Sequence, residues 1–409
     1  MKIINRNFLL LLILPVLSFA VSCKGTPEPA AAGAKGIFAG VGNVFIIADD
    51  GSLWSAGFNQ SGQLGLDPGA GAKGLVQLKH EGQPFTGILS VAAGENHTVI
   101  VKDDGTLWGV GESLYGELAQ GGDGKAKLTG LTKLDITGVK FAAAGNNSTF
   151  VIKDDGTLWA AGFNYYGELG LGDQNNRAAF TQVASAGRDV KEVVAGARHT
   201  VLLKNDGSVW STGYNYNGQL GIGTTDDAMQ FTQARSAGTG VSTITAGNYH
   251  TVIIKSDGSV HAAGANYNGQ LGTDDGVDRN QFTQVKDRSN QNISGAKSIA
   301  ARGNMTLIHS KDNALLLAGS FADPKARDEK NLPPEKQPGA EAKSTFIQLE
   351  AEADLKGALD DVKQIILGSR NIFVVTGKNQ LLAAGSNRYG QISDNQEIDS
   401  VLKLKQIYP

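Results

Sequence analysis

The sequence predicts an all-β protein, a seven-bladed β-propeller built of four-stranded antiparallel blades. Three observations carry that expectation. A segment of about fifty residues recurs seven times along the 409 residues. Five copies carry an Asp-Gly pair between two apolar runs, and every copy closes on a short run of the type Phe-Thr-Gln-Val. Units of this period cannot bury their apolar faces alone, so they must stack or close on one another.

The copy from Val139 to Val183 shows the elements in order. Lys140 to Ala143 predicts a first strand ending at Gly145, and Thr149 to Lys153 a second, rich in β-branched residues. Asp155-Gly156 predicts the hairpin that follows, as a type I′ turn, since Asp and Gly both tolerate positive φ. The pair recurs as Asp50-Gly51, Asp104-Gly105, Asp206-Gly207 and Asp257-Gly258. Thr157 to Ala160 predicts the third strand. Phe180 to Val183 predicts the fourth, matched by the runs at Leu75, Leu131, Phe231, Phe282, Phe346 and Leu404.

No periodic stretch is long enough for a helix, and near-continuous apolar strands such as Val99-Ile100-Val101 fit blades packed on both faces. The first strand falls near Ile37 and the last near Ile407, so seven units are complete; a closed ring removes the edges that an open solenoid, the alternative, leaves exposed.

Composition narrows the function. The formal charge is −3 and the Lys and Arg residues are scattered through every repeat, so no basic face suited to nucleic acid is expected. The protein has 54 Gly but 10 Pro, as many tight turns require. Residues 1–22 read as a signal peptide: Lys2 and Arg6 precede an apolar run from Phe8 to Val21 that is short for a membrane span. Ala20-Val21-Ser22-Cys23 resembles a bacterial lipobox, which would make Cys23 a lipidated N-terminus. Ordinary cleavage after Ser18-Phe19-Ala20 is the alternative. Cys23 is the only cysteine, so no internal disulfide can form. Residues 23–35 then form a tether, and residues 36–409 the propeller, a monomer held beside a membrane by its lipid alone on the extracytoplasmic side of the cell envelope.

Antiparallel blades put the first-to-second and third-to-fourth connections on one face and the Asp-Gly hairpins on the other. The first face collects Tyr165, Tyr166, Arg198, Tyr216, Tyr249, Tyr267, Arg388 and Tyr389, the candidate binding residues. Tyr gives large contact area with a polar tip at low entropic cost. Against this, the loop Asn and Gln residues also suit turns that bond their own backbone. An insertion at residues 323–343, between the third and fourth strands of the sixth repeat, predicts a mobile arm over the same face.

The sequence offers little for catalysis. His97, His199 and His250 share one repeat position, held elsewhere by Ser148 and Asn371, as scaffold residues do; the alternative is a metal site at the axis. Glu117 and Glu168 replace a repeated Gln and read as surface variation rather than a carboxylate pair. Asp274-Asp275-Gly276-Val277-Asp278 lacks the spacing of a hand-type calcium loop, and no phosphate-binding loop follows a strand. No catalytic residue, metal or cofactor is expected.

The order Ala-Gly, His-Thr, Asp-Gly, then Gly-x-Asn-x-x-Gly-Gln-Leu-Gly, clearest in AGNYHTVIIKSDGSVHAAGANYNGQLG from Ala246 to Gly272, resembles the repeat of the regulator of chromosome condensation family. The resemblance covers the sequence from about residue 37 onward. It implies a seven-bladed propeller with blades offset from the sequence repeats, so that the two termini share a blade. The family includes a nuclear exchange factor for a small GTPase, a role at odds with an export signal, and exported propellers that bind and block enzymes. The expected function is that of a non-enzymatic module binding an extracytoplasmic protein or peptide through the Tyr/Asn face. A carbohydrate or cell-wall binder and a hydrolase with an axial site are the alternatives.

Overall fold

In the computed structural model, every predicted unit is an antiparallel sheet whose four strands follow sequence order from the axis outward. The structure describes residues 34–69, 71–273, 275–287, 289–320, 343–351, 355, 357–369, 371–385 and 403–408. Blade 1 comprises Ala34–Ala39, Asn43–Ala48, Leu53–Gly57 and Ala72–Gln77. Blade 3 comprises Val139–Ala144, Ser148–Lys153, Leu158–Gly162 and Arg177–Gln182, and blade 7 Val362–Leu367, Asn371–Thr376, Leu381–Gly385 and Lys403–Tyr408; the strands of blades 2, 4, 5 and 6 lie within residues 88–137, 190–233, 241–284 and 298–348. Glu350–Ala351 adds a short parallel pairing to the outermost strand of blade 7. Among the described residues there is no α-helix.

The first strands of successive blades touch one another around the axis, and that of blade 7 touches that of blade 1. Among the described residues seven apolar clusters make up the core, each shared by two adjoining blades. Val99, Leu107 and Leu134 of blade 2 pack with Ala142 and Val151 of blade 3, and Leu203 and Val209 of blade 4 with Ile244 and Ile253 of blade 5. Both faces of each blade are therefore buried, which is why the middle strands read as unbroken apolar runs.

The ring closes differently from the expectation. Blade 1 comes wholly from residues 34–77 and blade 7 from 362–408, so the two termini do not share a sheet. Closure rests on side chains: Ile37, Val44, Ile46 and Leu75 of blade 1 interlock with Ile366, Phe373, Val375 and Leu381 of blade 7. An open solenoid would leave these two apolar faces in water.

The Asp-Gly turns also differ. Gly156 N donates to Lys153 O at 2.9 Å and Lys153 N to Thr157 O at 3.0 Å. Of the pair Gly156 alone has positive φ, at 77°, and in none of the five turns is the Asp left-handed. This is a turn followed by a glycine bulge rather than type I′. The aspartate instead braces the strand that leaves the turn. Asp155 Oδ1 accepts Thr157 N at 3.0 Å and Thr157 Oγ1 at 2.6 Å, and Trp159 Nε1 donates on to that hydroxyl. These bonds hold the Asp155 carboxyl below the usual carboxylate range. Blades 6 and 7 lack the glycine and put Asn313 and Asn379 there, both at φ 60°.

Candidate functional site

The connection from third to fourth strand is a folded loop anchored by buried amides. Asn164 Oδ1 accepts Leu169 N at 2.9 Å while its Nδ2 donates to Asp173 O at 2.9 Å. Asn59, Asn215 and Asn266 accept Leu64, Leu220 and Leu271 N in the same way. The repeated Gln, four residues on, accepts a backbone N–H inside the loop: Gln219 from Asn217 and Gln270 from Asn268. These amides hold turns and are inaccessible to a ligand.

Their burial determines what faces solvent. With Asn pinned inward, the next residue points out, and that position holds Gln60, Leu114, Tyr165, Tyr216 and Tyr267 in blades 1 to 5. Tyr216 is the most open of the three tyrosines, at 74% exposure.

The outward aromatics form one continuous group. Tyr115 meets Phe163 edge-on at 4.8 Å, Tyr165 meets Tyr166 at 5.0 Å, and Tyr166 meets Tyr214 at 5.0 Å. Tyr214 in turn touches Tyr216 and Tyr249, at 6.4 and 6.1 Å. Arg198, from the first-to-second connection of blade 4, lies over the Tyr166 ring at 5.0 Å and donates to its hydroxyl at 2.9 Å. Tyr267 adjoins the group without ring contact: its hydroxyl pKa is raised by burial, then by Tyr249 and Asp278. Beside it, Tyr216, Asn217, Thr225, Asp278, Arg279 and Asn280 line a shallow recess.

Six of the eight candidate residues, Tyr165, Tyr166, Arg198, Tyr216, Tyr249 and Tyr267, thus lie on one face and together. Arg388, Tyr389 and Cys23 fall outside the described residues, as does the insertion up to residue 342. Sequence reasoning missed Phe163, Tyr214 and Tyr115, which bridge the tyrosines into one surface. The signal was present: Phe163 and Tyr214 each stand directly before the anchoring Asn.

The two glutamates are not surface residues. Glu117 and Glu168 are buried at the Gln position, and their Oε2 atoms accept Tyr115 N and Tyr166 N at 2.8 and 2.9 Å. Burial raises both carboxyls, that of Glu168 to about 7. They can hold the loop because the acceptor oxygen of Gln has a counterpart in Glu.

The histidines bolt blades together. Nε2 of His97, His199 and His250 lies 3.0, 3.1 and 2.9 Å from the hydroxyl of Thr149, Thr251 and Thr306 in the next blade. Each hydroxyl donates back to a loop carbonyl of Glu117, Gln219 or Gln270. In the acidic loop, Asp275 bonds Val277 N and Arg279, and Asp278 bonds Asn266 N and Asn217 Nδ2. Among the described residues no group of three His, Cys, Asp or Glu is placed to hold a metal.

Similar proteins fit this architecture. Over 250 residues the chain is 33% identical to the ultraviolet-B receptor UVR8 of Arabidopsis thaliana, covering 60% of this chain and 56% of that protein. It is 35% identical over 137 residues to the X-linked retinitis pigmentosa GTPase regulator of Mus musculus, covering 33% of this chain and 14% of that protein. The chain therefore spans little more than half of one relative and a small part of the other. Among solved structures, human WBSCR16 superposes with a TM-score of 0.68 at 18% identity, covering 87% of this chain and 93% of that one. Prp20p of Saccharomyces cerevisiae superposes with a TM-score of 0.65 at 19% identity, covering 88% and 86%. Both likenesses are of fold. Profiles of the regulator of chromosome condensation (RCC1) repeat match residues 88–117, 139–168, 190–219 and 241–270, and residues 50–101, 155–203 and 206–254. The chain therefore carries RCC1 repeats within residues 50–117 and 139–270, and its fold is a seven-bladed propeller.

Proposed function

We propose that this protein is a membrane-tethered, non-enzymatic interaction module whose tyrosine-rich face binds an extracytoplasmic protein or peptide. The observation that carries the reading is the contiguity of the aromatic surface across blades 2 to 5, with Arg198 fixed upon it. Tyr and Arg are the residues on which binding energy at protein interfaces concentrates. A structure of Prp20p, which shares the fold, concerns its binding to Gsp1p and histones, and another shows it bound by Kap60. Those partners are proteins, which supports a protein ligand as the class.

Ring geometry favours a protein over a glycan. Tyr165–Tyr166, Tyr166–Tyr214 and Tyr214–Tyr249 cross at 83, 68 and 67°. Edge-on rings form ridges and notches that suit side chains, whereas a sugar ring stacks best on a flat aromatic face. Glu117 and Glu168 each commit Oε2 to a loop N–H, a structural role that does not favour a hydrolase.

Tethering rests on Cys23 and the apolar run before it. The test is to express the full-length protein and a Cys23→Ser variant, fractionate the envelope, and weigh the mature N-terminus by mass spectrometry. A diacylglyceryl mass on Cys23, with release of the variant into the soluble fraction, supports the anchor. An unmodified N-terminus beyond Ala20 refutes it. Partner capture from the same envelopes, with Tyr165, Tyr166, Tyr216 and Tyr267 changed to Ala and circular dichroism as the folding control, tests the face.

A further inference from the structure

Six blades enter the turn between first and second strands through a glycine: Gly40, Gly94, Gly145, Gly196, Gly247 and Gly368. In most of them the reason is steric. A Cβ on Gly94, Gly196 or Gly247 would lie 2.4, 2.3 or 2.1 Å from Cε1 of His97, His199 or His250, three residues on, and 2.7, 2.5 or 2.9 Å from the carbonyl oxygen of Gly145, Gly247 or Gly303 in the next blade. On Gly40 it would lie 2.0 Å from Asn43 Oδ1, and on Gly145 2.7 Å from Ser148 Oγ. Blade 6 departs from this at two linked positions. Met305 pairs with Gly319 as His250 pairs with Gly264, so Met305 stands beside the glycine that closes the third strand, where blades 2, 4 and 5 put histidine and blades 1, 3 and 7 put Asn43, Ser148 and Asn371. The residue three before it is Arg302.

Arg302 reaches across the ring. Its Nη2 donates to the carbonyl of Ala93 in the first strand of blade 2, at 3.2 Å. Blades 2 and 6 are not neighbours, so the side chain spans the axial mouth on the face that carries Arg198 and Tyr249. The residue before that turn position is alanine in six blades, Ala39, Ala93, Ala144, Ala195, Ala246 and Ala301, and Leu367 in blade 7.

The blade does not need this arginine, since glycine builds the same turn six times. Arg302 is half-buried and forms no ion pair among the described residues. Burial brings its pKa down to about 10, opposed by the exposed carboxylate of Glu95 on the neighbouring loop. Glu95 offsets the charge from beyond ion-pair contact, so the guanidinium keeps donors for a second oxyanion. Its five donors form a planar fork matched to an oxyanion, and the structure gives one of them a protein partner.

We propose that Arg302 is a carboxylate-binding site at the axial mouth, engaging an acidic side chain or a free C-terminal carboxylate presented by the partner docked on the tyrosine face. The inference rests on the binding reading for its partner, but the site is testable alone. Full-length protein in detergent, labelled with 15N in arginine, is titrated with three capped peptides: Ac-Gly-Asp-Gly-amide, Ac-Gly-Gly-Gly with a free C-terminus, and Ac-Gly-Asn-Gly-amide.

The expected result is that one Nε resonance, missing from an Arg302→Gly variant of unchanged fold, moves saturably with a carboxylate peptide and about tenfold less with the Asn control. Which carboxylate peptide moves it distinguishes a side-chain carboxylate from a terminal one. Arg302→Lys, which keeps charge and loses the fork, is expected to bind more weakly. A resonance that none of the peptides moves, or that the Asn control moves equally, overturns the proposal. So does a lowered melting temperature of Arg302→Gly with no peptide response, which would make the residue a brace between blades 2 and 6. None of these outcomes depends on whether the tyrosine face binds a protein.

Discussion

His199 Nε2 lies 3.1 Å from Thr251 Oγ1 in the next blade, and that hydroxyl donates its proton to the Gln219 carbonyl at 2.7 Å. The hydroxyl has one hydrogen, so the imidazole must donate through Nε2, which fixes it as the neutral Nε2–H tautomer. One residue thereby ties its own blade to its neighbour and, through the threonine, to the loop that presents Tyr216.

The first prediction follows from burial of these rings. Desolvation lowers His97 and His250 to about 4 and His199 to about 3, the last also opposed by the charge of His250. The unfolded protein binds these protons near pH 6.5 and the folded protein does not. Their contribution is thus complete above pH 6.5 and lost as pH falls towards 4. Each should cost about 2 kcal/mol between pH 7 and 4.5. Denaturant titrations across this range should show the decline, and replacement by Asn, which blades 1 and 7 use as Asn43 and Asn371, should flatten it one histidine at a time.

Glu168 has the opposite sign. Its carboxyl is raised to about 7 by burial, with Asp227 raising it and Arg198 lowering it. The folded state therefore keeps the proton that the unfolded state loses near pH 4.5, and the stabilisation present below that pH disappears as pH rises through about 7. Glu168→Gln restores the residue of Gln63, Gln219 and Gln270. It should stabilise the protein by about 2 kcal/mol at pH 8 and by nearly nothing at pH 4.5. A constant difference across that range would show that ionisation is not the cause.

The glycine-histidine pairing can be tested by a double-mutant cycle. Gly247→Ala places a Cβ against His250 and should cost about 1–3 kcal/mol. In a His250→Met background, which copies the Arg302 and Met305 arrangement, the same change should cost at least about 1 kcal/mol less. Additive costs would assign the exclusion to the Gly303 carbonyl oxygen, 2.9 Å from that Cβ, rather than to the imidazole.

Ring closure predicts a large effect at one position. Phe373 is buried at the contact between blades 7 and 1, so Phe373→Ala should cost about 3–5 kcal/mol. Hydrogen exchange should rise first in the strands Val362–Leu367 and Asn43–Ala48 that flank the contact. Uniform loosening of all blades would argue against a seam that holds by packing alone.

Much of the fold is legible because repetition multiplies weak signals. One Asp-Gly pair is ambiguous, but five at the same place between apolar runs are not. The turn type is not legible, because the pair divides its work: Asp155 bonds Thr157, and Gly156 alone takes the left-handed backbone. The closure of the ring is equally silent, since it depends on which strands the two termini pair with. Glu117 and Glu168 read as surface residues because charge usually signals exposure, and only the folded loop shows them replacing a buried Gln. Arg302 carries no signal of its own in a degraded sixth repeat; the register of Met305 against Gly319 is what aligns it with six glycines.

The central claim, that the tyrosine face is the bound face, is tested most directly by hydroxyl-radical footprinting of the full-length protein in native envelopes and after purification in detergent. The account predicts that oxidation of Tyr165 and Tyr216 falls severalfold in the envelope, while Trp159 and Trp210, tied to the opposite hairpins, react equally in both. Equal oxidation of the tyrosines in the two preparations, or protection confined to the hairpin face, would contradict it.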